Sequence, residues 1–426
     1  MPHTAKSLLL KLLAHAVDAA RPDRCVPPFL PMPPADGKIV VTGAGKAAAA
    51  MAQVVEHHYR ALGCLDRVYG EVATRHGYGL PTTKLQVREA GHPVPDAASV
   101  EAARRALSLA RDATLADLQL VLLSGGASAI WAAPVPGVSL EEKQALTRAL
   151  LRGGQRIHAV NTVRKHLSII KGGRLAGASR AGRLVTLAIS DVPGDNPEVI
   201  GSGPTVPDSS TSAEARAIIG SVDTLTEDIR AALLARLQET PKPGDLTFAN
   251  AEYHLVAAPR LSLAAAADLA RDSGYHVDVL GDALEGEARE VARAHAALAL
   301  ARRSEGRRTA ILSGGELTVT VRGGGTGGPN QEYALALALA LAGATGISAL
   351  AADTDGSDGG SGAADDPAGA FVLPDTLARA RALDLNAVNF LDDNNSSVFF
   401  GRLGDLVVTG PTRTNVNDFR VLLVDP

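Results

Sequence analysis

Short apolar runs that end in loops of glycine, serine and aspartate recur along this chain, with helical patterns between them. Residues 39–41 run into Gly43-Ala44-Gly45-Lys46, residues 118–123 into Ser124-Gly125-Gly126-Ala127-Ser128, and residues 184–190 into Asp191-Val192-Pro193-Gly194-Asp195. The design returns at residues 309–312, before Ser313-Gly314-Gly315-Glu316, and at residues 347–351, before Asp353-Thr354-Asp355-Gly356. Strands that alternate with helices build a largely parallel α/β sheet, because a parallel neighbour is reached only through a crossover. Ligands of such sheets bind beyond the carboxyl ends of the strands, which is where these loops lie.

The stretch 38–49 carries the sharpest chemistry. A buried strand, a glycine turn and an alanine-rich helix leave the first helical amides to face an anion. Gly43 and Gly45 are expected to let a phosphate approach the backbone with no Cβ in the way, and Lys46 adds a full charge. The same residues satisfy G-x-G-x-x-A, so an NAD-dependent reductase is the first alternative. Against it, no acid closes a second strand about 20 residues further on. The nearest, Glu71, lies 28 positions past Gly43. The Walker pattern fails because Ala47 follows Lys46, so any metal must find its ligands elsewhere.

A length of 426 residues suits two domains, each with its own core, and Pro241-Lys242-Pro243-Gly244-Asp245 is the best linker, giving domains 1–240 and 241–426. A net charge of −4, no basic tract and only 3% aromatic residues argue against a nucleic-acid partner. Cys25 and Cys64 match no metal spacing and suggest a reducing compartment. Residues 1–20 form an amphipathic helix in which Lys6 and Lys11 interrupt any signal core. The uncharged run 333–352 is broken by Gly343, Thr345, Gly346 and Ser348, so it reads as a buried helix and a strand, not a membrane span. A cytoplasmic protein is expected.

Several local readings follow from the same rules. Asp96 should cap the helix that runs to Arg111, and Thr224 with Glu227 should form a capping box for a helix ending near Thr240. Residues 285–303 should form one long helix, acidic at its start and basic at its end. Arg164, Lys165 and His166 are expected as a solvated cationic face, and residues 353–359 as a polar turn whose carboxylates are also able to hold Mg²⁺.

The motifs together resemble the class II glycerate 2-kinase family, whose C-terminal part is the MOFRL domain and some of whose members carry a hydroxypyruvate reductase label. The resemblance runs through GAGKA (43–47), GHPVPD (91–96), LSGGASA (123–129), NTVRKHLSIIKGG (161–173), SDVPGD (190–195), SGPTVPD (202–208), LSGGE (312–316), GGPNQE (327–332), DTDGSDG (353–359) and TGPTRTNVND (409–418). It implies a Rossmann-like three-layer α/β/α N-terminal domain, a smaller α/β domain, and a site in the cleft between them. It further implies ATP-dependent phosphorylation of D-glycerate at its 2-hydroxyl, with Mg²⁺, and Lys46 and Asp191 as the catalytic pair. The chain departs from the family pattern at Ala127, at Ala257-Ala258-Pro259-Arg260, where an asparagine is absent, and at Pro329, where some members have Arg. Arg164, Arg260 and Arg413 are the candidates for the missing charge.

Phosphoryl transfer asks mainly for positioning and charge matching. Lys46 is expected to stabilise the migrating phosphoryl group, and Asp191 to orient or deprotonate the acceptor hydroxyl. Gly43, Gly45, Ser124, Gly125, Gly126, Ser128, Arg164 and Arg260 are the expected substrate or phosphate contacts, with Arg164 a clamp for the carboxylate. Ser313, Gly314, Gly315, Glu316, Gly328, Asn330 and Gln331 are expected at the nucleotide, and Asp191, Asp195 and Glu316 at Mg²⁺. A homodimer without nucleic-acid or membrane partners is the expected assembly. The alternatives are an NAD(P)H-dependent hydroxypyruvate reductase and a non-catalytic small-molecule binding protein.

Overall fold

The computed structural model describes residues 5–155, 157–222, 224–360, 363 and 365–426. The chain forms two compact units, one of residues 22–256 and one of residues 1–21 with 257–426.

The first unit is organised on a six-stranded sheet. Its strands are β1 (Ile39–Ala44), β2 (Val68–Arg75), β3 (Leu85–Ala90), β4 (Leu118–Leu123), β5 (Arg183–Ile189) and β6 (Ala251–Ala257), in the order β3-β2-β1-β4-β5-β6. β1 to β5 pair in parallel. β1 and β4 are buried along their whole length, as strands covered on both faces must be. Helix Ala97–Asp112 covers one face by packing Ala102, Ala103, Ala106 and Leu107 with Val121, Leu123 and Ala73. Asp96 caps it as expected, accepting from the Ser99 amide at 2.9 Å. The chain leaves β1 for β2 on one side and β4 lies on the other, so the strand order reverses between β1 and β4. In a doubly wound sheet that reversal opens a crevice at the carboxyl ends.

The second unit has a six-stranded sheet of its own. Its strands are numbered onward as β7 (His276–Val279), β8 (Leu284–Glu287), β9 (Thr309–Ser313), β10 (Gly315–Thr318), β11 (Ile347–Asp353), β12 (Gly369–Val372), β13 (Leu406–Val407) and β14 (Asp418–Val424). The order is β13-β12-β11-β14-β9-β7, with β8 and β10 paired separately. Unlike the first sheet, it is mainly antiparallel, and only β7 and β9 run together. Alternation along β9 sends Ile311 to one face and Ala310 and Leu312 to the other. Helices Ala288–Ser304 and Pro329–Leu341 cover the first face. Helix Pro329–Leu341 is apolar nearly all round because it is buried nearly all round. No described helix is long and apolar enough to cross a membrane.

The domain boundary differs from the sequence expectation. Helix Ala5–Ala19 places Leu8, Leu9, Leu12, Leu13 and Ala16 against Leu263, Ala266, Ala267 and Ala270, so it completes the core of the second unit. Residues 1–4 of that expected helix lie outside the described residues. Pro241–Asp245 is a turn inside the first unit, tied back by the Asp208 amide to the Pro241 carbonyl at 3.0 Å. The following strand, β6, closes the first sheet instead of opening a second module. Two element readings also change. Residues 284–287 pair with β10, so the long helix starts at Ala288, and Thr226, not Thr224, caps the short helix Glu227–Leu234.

Candidate active site

The carboxyl ends of β1, β4 and β5 bring three of the expected loops to one edge of the first sheet. β4 lies between the other two, so Lys46 and Asp191 follow strands whose axes are separated by about 10 Å, two interstrand spacings.

The turn after β1 is held differently from expectation. The amides of Gly45, Lys46, Ala47 and Ala48 all bond inside the protein: to the Ala73 carbonyl at 3.1 Å, the Gly125 carbonyl at 2.8 Å, Ser124 Oγ at 2.9 Å and the Gly45 carbonyl at 3.1 Å. They are not offered to a phosphate. A Cβ on Gly43 would stand 2.7 Å from the Leu122 carbonyl oxygen, and one on Gly45 only 2.1 Å from Ser124 Oγ. Both glycines are therefore explained by the close approach of β4 and its loop. What this turn presents for chemistry is the half-buried Lys46 side chain.

The loop after β4 is locked from below. Lys171 is fully buried and donates to the Ser128 carbonyl at 2.7 Å and to Ser128 Oγ at 3.0 Å. Ser128 Oγ also shares a hydrogen bond of 2.9 Å with Ser202 Oγ. Ser202 lies between Gly201 and Gly203, and all three have positive φ, a strained setting for the serine. The Gly172 and Gly173 amides hold that turn through the carbonyls of Ser202 at 3.0 Å and Gly203 at 2.7 Å. The LSGGASA, IIKGG and SGPT blocks thus form one assembly. Gly126 begins the short helix Ala127–Ile130 in a left-handed conformation, with the His92 ring where its Cβ would be.

Asp191 and Asp195 follow β5 in one loop, both half-buried. On helix Ile157–His166 the expected solvated face is wrong for two of its three cations. Lys165 is buried on Asp208 at 2.5 Å, and His166 is buried between the Thr162 carbonyl at 2.8 Å and Glu239 at 3.2 Å. Arg164 differs from both. It makes no side-chain hydrogen bond or ion pair with any described residue, and burial presses its guanidinium below the usual arginine range.

In the second unit, Asn330 and Gln331 are buried and their side chains serve the fold. Asp358 accepts from the backbone amides of Asn330 and Gln331 at 3.0 and 2.9 Å and from their side-chain amides at 3.2 and 3.0 Å. It thereby caps helix Pro329–Leu341 with a carboxylate at its positive end. Asn330 also donates to Asp418 at 2.6 Å, and Arg420 binds Asp418 at 2.8 Å, Ser313 Oγ at 3.2 Å and the Gly314 carbonyl. Gly315 sits where a Cβ would overlap the Leu284 carbonyl, and Gly328 where one would overlap Asp358. The glycine loop ahead of that helix is fastened as well. Asn394 Oδ1 accepts from the Arg322 and Gly323 amides, and Asp393 Oδ1 from the Gly324 amide. Within residues 313–316 and 323–328 the exposed positions are Glu316, Gly324, Thr326 and Gly327. Arg260 is exposed in the first turn of helix Pro259–Asp272, and Arg413 is half-buried with a positive φ. The turn 353–359 is self-bonded, Asp353 Oδ1 accepting from the Asp355 amide and Asp355 Oδ1 from the Ser357 amide.

Sequence reasoning missed two buried lysines. Lys143 lies on the inward stripe of helix Leu140–Arg152 with Leu146 and Leu150, a lysine at a position where helical spacing calls for an apolar residue. Lys171 stands inside a matched block, but nothing beside it signals burial.

A doubly wound sheet whose strand-end loops carry Lys46 and Asp191 is the architecture of α/β proteins that bind small molecules at the switch point. The comparisons give the family. A model described as a domain of unknown function (DUF4147) matches residues 8–238, and the MOFRL family matches residues 309–418. D-glycerate 2-kinase of Thermotoga maritima is 38% identical, covering 99% of this chain and 99% of that protein. Glycerate 2-kinase of Pyrococcus horikoshii is 36% identical, covering 97% and 96%. A protein of Agrobacterium vitis named putative hydroxypyruvate reductase is 45% identical, covering 99% and 95%. The crystal structure of glycerate kinase from Thermotoga maritima superposes with a TM-score of 0.86 over 98% of this chain and 99% of that one. The chain belongs to the class II glycerate kinase family with a MOFRL domain.

Proposed function

We propose that this chain is a glycerate 2-kinase, transferring the γ-phosphoryl group of ATP to the 2-hydroxyl of D-glycerate. The observation that carries the reading is the placement of Lys46, the Ser128 loop and Asp191 on one sheet edge, in a chain whose relatives are named for that reaction. Because the amides of the first turn are already bonded, the Lys46 ammonium is the group there that offsets charge on the migrating phosphoryl oxygens. Asp191 takes the acceptor proton or holds the hydroxyl in line. Arg164, without a hydrogen-bond or ion-pair partner among the described residues, is suited to the substrate carboxylate, since a guanidinium fork matches carboxylate geometry. The nucleotide is assigned to Glu316 and to the exposed part of the loop 323–328, and not to the Asn330 and Gln331 side chains.

Among the described residues, no three His, Cys, Asp or Glu side chains converge as a metal cage. That suits Mg²⁺ shared with phosphate oxygens, which needs only one or two protein carboxylates. Asp191 and Asp195 are the residues of the first unit that would hold it. When bound, the ion would neutralise charge on the phosphate oxygens.

The reductase reading keeps one argument, the name of the Agrobacterium vitis relative. The site speaks against it. The glycine-turn amides are occupied, and Glu71 lies in the middle of β2, bonded to Arg88 at 2.6 Å, instead of at a strand end facing a ribose. Incubation with ATP, Mg²⁺ and D-glycerate, with ADP release followed and the phosphoglycerate isomer identified, tests the proposal. NADH oxidation by hydroxypyruvate, with no ADP formed from glycerate, would reverse it.

A further inference from the structure

Lys143, Arg164 and Lys171 of the first unit lie within electrostatic reach of one another, and Lys171 is bonded to the Ser128 loop. Lys143 is 7% exposed, and its ammonium is buried with no hydrogen-bond partner among the described residues. Arg164 stands close enough to repel it, and Lys171, spent on Ser128, is repelled by both Lys143 and Arg164. Arg174, the other cation that Lys143 feels, is satisfied by the carbonyls of Lys165 at 2.7 Å and Gln238 at 2.9 Å. The nearby acids are committed elsewhere: Asp208 binds Lys165, and Glu239 binds His166 and Lys242. Burying an ammonium with no counter-charge is costly, and a fold tolerates it where something of opposite sign is to arrive.

We propose that Lys143 and Arg164, braced by Lys171, form a buried anion subsite that takes the carboxylate of the small hydroxy-acid substrate. The inference rests on the glycerate kinase reading and adds to it a specificity residue, Lys143. The occupant is small, because a nine-tenths-buried ammonium can meet a carboxylate without burying a triphosphate with it. Lys171 is a positioning residue: its ammonium fixes Ser128, and through Ser128 the loop and Ser202. Arrival of the carboxylate restores charge balance, so binding draws a proton to Lys143, whose ammonium is otherwise pushed toward neutrality by burial and by Arg164 and Arg174.

The test uses the full-length enzyme with Lys143→Met and, separately, Arg164→Met. Each should raise KM for D-glycerate about tenfold or more while changing kcat and KM for ATP far less. Isothermal titration of wild type with D-glycerate near pH 8, in buffers of different ionisation enthalpy, should show proton uptake that disappears in Lys143→Met. Both variants retaining the wild-type KM and proton balance would overturn the subsite. Should Lys143→Met not fold, Arg164→Met and the wild-type proton balance decide alone. Inorganic phosphate binding more tightly than D-glycerate at this site would overturn the carboxylate assignment. A wild type that releases no ADP from D-glycerate ends the kinase reading, and titration with D-glycerate alone then judges the subsite separately.

Discussion

Ser124 occupies the space in front of Gly45: its hydroxyl oxygen lies 2.1 Å from where a Cβ would stand, while it accepts the Ala47 amide at 2.9 Å. A glycine here serves the joint between two loops before it serves any ligand. Gly45→Ala should therefore lower stability, by about 1–3 kcal/mol for a left-handed φ of 133° and more for the overlap. Urea unfolding measures it. A variant as stable as wild type but unable to bind ATP would restore the phosphate role of this turn.

Lys46→Ala should leave the fold intact, since the amides of the turn are held by the Ala73, Gly125 and Gly45 carbonyls and by Ser124 Oγ. If the ammonium acts in the transition state, turnover falls by about two decades or more, some 2.7 kcal/mol. Steady-state ADP release by a protein with wild-type circular dichroism gives the number. Near-normal turnover removes Lys46 from the mechanism.

Asp191→Asn keeps size and removes charge. Turnover should fall about as far as for Lys46→Ala, with nucleotide affinity little changed, as expected of a base or hydroxyl-orienting group. Equilibrium binding of ATP separates the two roles. Lost ATP binding would move Asp191 from the acceptor hydroxyl to the metal.

The middle of the first sheet was legible because β1 and β4 are fully buried apolar runs and β5 nearly so, and a loop after such a run has only one place to go. Other features depended on neighbours that one sequence does not display. The apolar stripe of Leu8, Leu9, Leu12 and Leu13 says that the first helix packs, not on which core. His166 and Lys165 look solvated in a cationic run, yet Glu239 and Asp208, far along the chain, bury them. Asn330 and Gln331 look like ligands after a glycine loop until Asp358 is seen to claim their amides. Of the two buried lysines, Lys143 and Lys171, only Lys143 left a trace, through its spacing from Leu146 and Leu150.

That trace leads to a pH dependence of stability with a definite sign. Lys143 is pushed down to about 7 by burial first and then by Arg164 and Arg174, whereas an unfolded lysine titrates near ~10.4. Between those values the unfolded chain holds one more proton than the folded one, so stability rises with pH. The contribution of this residue is fully present above the unfolded value and is lost as pH falls toward about 7, with a slope of about 1.4 kcal/mol per pH unit. Lys143→Met removes the titrating group and fills the same space with an unbranched apolar chain. The variant should thus be more stable than wild type at pH 7, with the gap narrowing steadily toward pH ~10. Urea unfolding of both proteins across that range measures the gap, in which titrating groups that do not feel Lys143 cancel. A gap independent of pH would mean that Lys143 stays charged in the folded protein, neutralised by a partner already in place.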